Sequence, residues 1–259
     1  MSIKSVSLGV AFTIASIVGA NAAALDLSGF TQFGAGNWDV AGDNLSVTQT
    51  QNADPGAFVS ANIFIDSSFE GNFRSNGTFD DDYMGFVFGF GADDSSPFYL
   101  FDWKQGDQLG SQDGFTLARV TGGLDSIPFG NHQDDAPGYD VIASDVDDVG
   151  NERGWDSFVD YNFKLTYQSN RILIEVGGGS PLSDALEVIF DISPADVAGV
   201  SSFEAGRFGF YNFSQNNITY AGFTESDAQV VPLPAALPLL AGGLGALGLM
   251  GWRRKRTTA

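Results

Sequence analysis

The sequence predicts an all-β body, a β-sandwich or jelly roll, carried between two short tails. Three observations lead there. Apolar and polar residues alternate in many short runs, turn-forming residues separate the runs, and no stretch keeps a 3.6-residue period. Composition agrees: 33 Gly and 23 Phe in 259 residues suit short strands and tight turns.

The elements follow in chain order. The N-terminus reads MSIKSVSLGVAFTIASIVGANAAALD, with Lys4 ahead of an apolar stretch, Val6 to Val18, and small residues at Ala22 to Ala24. A cationic start, an apolar middle and a small-residue end make residues 1–23 a secretory signal peptide. The body is expected over 24–229. Alternation marks strands at FVSANIFID (58–66), YMGFVFGF (83–90), FYLFDW (98–103), YNFKLTYQ (161–168), RILIEV (171–176), RFGFYNF (207–213) and ITYAGF (218–223). Asp54-Pro55-Gly56, Ser75-Asn76-Gly77, Gln168-Ser169-Asn170 and Gly177-Gly178-Gly179 supply turns between them. The C-terminal segment, 230–259, opens with Val230 to Trp252, which carries no charge and is long enough to span a bilayer. Arg253, Arg254, Lys255 and Arg256 follow at once, and the positive-inside rule keeps that anchor cytoplasmic, with the body on the far side.

Charge narrows the function. Five of the 12 basic residues lie in the tails, which leaves 7 in the body against all 32 acidic ones. Such a body repels nucleic acid and anionic membrane and attracts cations. The absence of cysteine excludes disulfides and thiolate metal sites.

Two stretches resemble known families. VPLPAALPLLAGGLGALGLMGWRRKR looks like the VPLPA variant of the PEP-CTERM sorting signal: the motif Val231-Pro232-Leu233-Pro234-Ala235, a Gly/Leu-rich membrane segment, then a basic cluster. The resemblance implies processing by an exosortase in a Gram-negative bacterium. It implies transient anchoring in the inner membrane by the C-terminal helix, then release or attachment at the cell surface or beyond. In the body, DDDYMGFVFGF followed by SSPFYLFDWKQ resembles the thrombospondin C-terminal domain, as do GWDSFVDYNFKLTY (154–167) and GRFGFYNFSQNNITYAGF (206–223). The similar blocks cover about residues 40–223. The resemblance implies a jelly-roll sandwich of the legume-lectin kind with bound calcium, and an adhesive or structural role.

FDDDYMGFVFGF also poses a physical question, because Asp80, Asp81 and Asp82 repel one another. Calcium takes six to eight oxygens in loose geometry and would relieve that repulsion. An acidic strand edge that discourages aggregation is the other explanation. In an extended chain Asp80 and Asp82 point to one side and Asp81 to the other. Without calcium, replacing Asp80 and Asp82 together is expected to remove repulsion and stabilise the fold. The resemblance matches these three residues to the family's acidic triplet.

A second acidic stretch, DVDDVGNERGWD, sets Asp145, Asp147 and Asp156 at positions 1, 3 and 12 of a calcium loop. Val149 stands where an oxygen ligand belongs and no helices flank it, so it fails as an EF-hand. An irregular calcium loop and a solvated acidic loop both remain open; Asp134, Asp135 and Asp140 share that surface.

Nothing points to an enzyme. The single histidine, His132, is expected in a surface loop, and no G-x-S-x-G elbow accompanies it. Trp38, Trp103 and Trp155 could stack on sugars, but a Phe-rich sandwich places most such rings in its core. The leading expectation is an exported calcium-binding module of an extracellular matrix or biofilm, with matrix polysaccharide or protein as possible partners. The alternatives are a polysaccharide-binding lectin-like protein and, behind it, a secreted glycosidase or lyase.

Overall fold

The computed structural model describes residues 22–78, 80–146 and 153–228. The chain divides into two units, Met1–Ala228 and Gln229–Ala259, and every described residue falls in the first. Among the described residues no helix is long and apolar enough to cross a membrane. The signal-peptide core, the sorting motif Val231 to Ala235, the apolar span and its basic anchor all lie outside them.

The described body is an all-β sandwich of two antiparallel sheets. In chain order the strands are β1 (Ala23–Ala24), β2 (Thr31–Gly34), β3 (Trp38–Val40), β4 (Ser46–Gln49), β5 (Gly56–Phe64), β6 (Ser67–Ser75), β7 (Tyr83–Phe90) and β8 (Phe98–Lys104). They continue with β9 (Gly114–Val120), β10 (Tyr139–Val146), β11 (Tyr161–Gln168), β12 (Arg171–Gly177), β13 (Glu187–Ile192), β14 (Gly206–Phe213) and β15 (Ile218–Asp227). One sheet runs β13-β12-β11-β6-β15-β4-β3, with β1 also on β15; the other runs β10-β9-β8-β7-β14-β5-β2. The predicted strand over 58–66 ends at Phe64, because Asp66 takes a left-handed φ of 56° and turns the chain into β6.

The two sheets differ in what covers them, and the sequence shows it. In β11, Tyr161, Phe163, Leu165 and Tyr167 are buried and alternate with more exposed polar residues, the pattern of a sheet with one wet face. In β8, FYLFDWK is buried at every position. Its inward residues Tyr99, Phe101 and Trp103 join the core between the sheets. Its outward residues Phe98 and Leu100 join a second apolar cluster, roofed by Leu124, Ile127 and Tyr139. The inter-sheet core is aromatic: Phe86 of β7 stacks on Phe163 of β11 with ring centroids 3.7 Å apart and planes 13° apart. Such a pair contributes about 0.5–1.5 kcal/mol beyond its area burial.

Candidate metal centre

The triplet Asp80–Asp82 lies just before β7 and belongs to no strand. Freed from the pleat, its side chains do not alternate. One carboxylate oxygen from each of the three lies within 4.8 Å of the others. That is a correction to the expected split of Asp81 from its neighbours, and the cause is the non-strand backbone. The spacing fits a hard cation. Oxygens on opposite sides of a calcium ion at 2.3–2.6 Å stand about 4.6–5.2 Å apart. Among the described residues no other cluster of three or more potential ligands comes together.

Three separate segments hold the triplet. After β8 the amides of Gln105 and Gly106 donate to the Asp81 carbonyl at 3.2 and 3.3 Å. Gly106 leaves room for the Asp81 carboxylate, since a Cβ there would stand 3.1 Å from Oδ2. Gln108 Nε2 donates to Asp81 Oδ1 at 3.4 Å. From the turn after β14, the buried Gln215 accepts the Asp82 amide at 3.2 Å. From the loop before β5, Asn52 Nδ2 donates to Asp80 Oδ2.

The electrostatics are split. Tyr83 and Lys104 are register partners across the β7–β8 pair, which carries the Lys104 ammonium to the triplet. Lys104 Nζ lies 3.0 Å from Asp82 Oδ1 and 3.3 Å from the Asp81 carbonyl. One negative charge therefore has a built-in partner and two do not. Burial, then the charge of Asp82, pushes the Asp80 carboxyl up to about 6. The donor set is all oxygen on the ligand side, which suits calcium better than a soft or imidazole-seeking metal.

The second acidic stretch is arranged otherwise. Asp145, in β10, is held by the Arg153 guanidinium, which also reaches Glu187 Oε1 at 3.1 Å. The Asp156 amide donates to the Tyr161 hydroxyl at 2.6 Å, and its carboxylate joins no cluster among the described residues. Asp147 lies outside the described residues. Asp134 and Asp135 work within the loop before β10: Asp134 Oδ2 accepts from Asn131 Nδ2 and Asp135 Oδ1 from the Val141 amide, each at 2.8 Å.

His132 overturns its expectation of a surface position. It is fully buried beneath the roof of the second cluster. Its ring stacks on Tyr83 at 3.6 Å, with Nδ1 2.6 Å from Asp102 Oδ2 and Nε2 2.9 Å from the Pro128 carbonyl. A carbonyl only accepts, so Nε2 carries a hydrogen and Nδ1 shares a proton with Asp102. Burial pushes the Asp102 carboxyl up, and His132 opposes that shift. Trp103 and Trp155 are fully buried, as a Phe-rich core predicts, while Trp38 is half-buried.

Sequence reasoning missed Lys104, Asn52, Gln108 and Gln215 around the triplet. A charge closing the apolar run FYLFDWK was the one available signal. Asp113 was missed too. It is buried, and its Oδ2 accepts from the amides of Arg153 and Gly154 at 2.9 and 2.7 Å.

Residues 34–125, which include the triplet and the β7–β8 pair, match the family model for the thrombospondin C-terminal region. Cartilage oligomeric matrix protein from Bos taurus is 30% identical over 212 residues, covering 76% of this chain and 26% of its own length. This chain carries a thrombospondin C-terminal-like domain. It spans about a quarter of the length of that relative. Two Bacillus subtilis structures share the architecture of this thrombospondin C-terminal-like domain. The carbohydrate-binding module CBM66 has a TM-score of 0.51 at 14% identity, covering 76% of this chain and 95% of that one. A protein with a galectin-like fold has a TM-score of 0.50 at 10% identity, covering 78% of this chain and 90% of that one. These likenesses show the fold alone.

Proposed function

We propose that the thrombospondin C-terminal-like domain is an exported calcium-binding module with an adhesive or structural role in an extracellular matrix or biofilm. One observation carries the reading: three carboxylate oxygens within the span of a single calcium shell, with one lysine to offset three charges. Asp80, Asp81 and Asp82 would hold the ion, and Asn52 and Gln108 orient two of the carboxylates. Calcium would supply charge neutralisation where the chain enters β7. The matrix setting is supported by the relative named as a matrix protein and by the signal-peptide pattern of residues 1–23. The tail pattern supports exosortase processing and, before it, membrane anchoring. The reading is non-enzymatic, and it is supported by the engagement of both nitrogens of the single histidine beneath the roof.

The test is a thermal melt with calcium, with magnesium, and with sodium chloride at matched ionic strength. Binding to the native state alone stabilises by roughly 2.7 kcal/mol at a hundred times the dissociation constant. Calcium should raise the melting temperature well beyond sodium chloride, and magnesium should do less because it gives up water reluctantly. Equal protection by calcium and sodium chloride would reduce the triplet to a charged edge.

A further inference from the structure

Six of the seven basic residues of the body are engaged. Arg74 pairs with Asp160, Lys104 with Asp82, Arg153 with Asp145 and Glu187, Lys164 with Glu70, and Arg171 with Asp191. Arg207 donates from Nε to the Gly91 carbonyl at 2.6 Å. Among the described basic side chains only that of Arg119 has neither an ion pair nor a hydrogen bond. In a body with 32 acidic side chains an unclaimed guanidinium is unexpected.

Its position gives the reason a meaning. Arg119 is half-buried in β9, in register with Tyr99 of β8 and Asp140 of β10, yet it forms no ion pair with Asp140. It lines a cavity of about 480 Å³ with Tyr99, Tyr167, Ser201 and Glu204. That volume falls in the range of small-molecule sites, roughly 300–1,000 Å³. The cavity also takes in Gly89 and Gly91, at the end of β7 opposite the triplet. The length of β7 puts the two sites roughly 23 Å apart along the strand.

The Tyr167 hydroxyl is spent on the Glu204 carbonyl at 2.6 Å, but the side chains of Arg119, Ser201 and Glu204 are complementary in chemistry and do not satisfy one another. A guanidinium presents a planar fork that matches a carboxylate. The Glu204 carboxylate is exposed and has no hydrogen-bond or ion-pair partner, so it can accept from hydroxyls, while Ser201 can donate or accept. A ligand with one carboxylate per unit and several hydroxyls answers all of these groups. We propose that this cavity binds an acidic saccharide, with Arg119 taking the carboxylate of a uronate unit and Glu204 accepting from its ring hydroxyls. The site is separate from the metal centre and does not depend on it.

The experiment is a calorimetric titration of the full chain, purified in detergent and calcium-loaded, with trigalacturonate and with neutral galactotriose. Trigalacturonate should bind and galactotriose should not. Arg119→Gln should weaken binding by about tenfold or more, the loss of a charged hydrogen-bonded contact. Arg119→Lys, which keeps the charge and loses the fork, should fall between. Asp80→Asn with Asp81→Asn should leave trigalacturonate binding unchanged, because no metal bridges protein and sugar. Amide shift perturbations in the unmutated protein should centre on Tyr99 and Ser201, which keeps the test valid even if Arg119→Gln disturbs folding. Equal binding of the neutral trisaccharide, no binding at all, indifference to Arg119→Gln, or perturbations centred on the triplet would each overturn the proposal.

Discussion

The Lys104 ammonium lies 3.0 Å from Asp82 Oδ1, and only 1% of the Lys104 side chain reaches solvent. The three acids of the triplet are therefore not equivalent. Removing Asp82 strands a buried cation, a change that costs about 3–5 kcal/mol in buried pairs. Removing Asp80 strands no cation, since its carboxylate accepts from the Asn52 amide and the Asp81 backbone. Asp80→Asn should leave the calcium-free melting temperature unchanged or slightly higher and should remove most of the calcium-specific gain. Asp82→Asn should lower the calcium-free melting temperature by several degrees. This corrects the expectation that replacing Asp80 and Asp82 together stabilises the fold. Melts of the two single variants in chelator decide it, and an equal response would mean that Lys104 does not pair with Asp82.

The pH response follows from Asp80. Its folded value of about 6 lies above its ordinary 3.8, raised first by burial and then by Asp82. The folded state thus binds the extra proton between these two values, and the unfolded chain does not. This contribution to stability is present in full below 3.8 and is lost as pH rises through about 6. Calcium reverses the sense, because it needs the ionised carboxylate. Calcium-specific stabilisation should be full at neutral pH and should shrink as pH falls through about 6. Melts across pH with and without calcium should converge on the acid side. A calcium-specific gain that begins to shrink only as pH approaches the ordinary carboxylate value of 3.8 would show that Asp80 is not a ligand.

The tails carry a separate expectation. Residues 1–23 read as a signal peptide, and 231–235 read as a sorting motif ahead of an apolar span and RRKR. The mature protein should begin at about residue 23–25 and end near 232–236. Intact mass from the producing cell measures both ends at once. A mass that retains residues 240–259 would leave a plain tail anchor and no exosortase step.

Part of this structure was legible in the residues. Period-2 alternation in YNFKLTYQ and RILIEV gave β11 and β12 because one face of their sheet is wet. The run FYLFDWK gave a strand, but not the reason for its continuous burial. That reason is the roof at Leu124, Ile127 and Tyr139, supplied by a Gly- and Asp-rich stretch with no period of its own. Short strands such as β2, β3 and β4 hold too few residues for a pattern to register. At the site, the acids were plain in the sequence and their partners were not. Asn52, Lys104 and Gln215 converge from three distant segments, and only the strand register brings them together.

His132 shows the same limit and makes the sharpest structural prediction. NHQDDAPG has the composition of an exposed loop. Yet the histidine is fully buried, stacked on Tyr83 and bonded at both nitrogens. The partner carboxylate depends on it, because Asp102 Oδ1 already lacks a hydrogen-bond partner. His132→Ala would leave Asp102 buried with neither oxygen paired and would orphan the Pro128 carbonyl. The expected loss is about 3–5 kcal/mol, as for other buried pairs broken from one side. At roughly 2–4 °C per kcal/mol for a domain of this size, the melting temperature should drop by at least about 6 °C. Asp102→Asn should cost less, since the amide still offers a hydrogen-bonding partner to Nδ1. The calcium-specific shift should survive in both variants, because neither residue belongs to the triplet. A melting temperature within a degree of the unmutated protein for His132→Ala would place the histidine outside the roof, at the surface where its sequence context puts it.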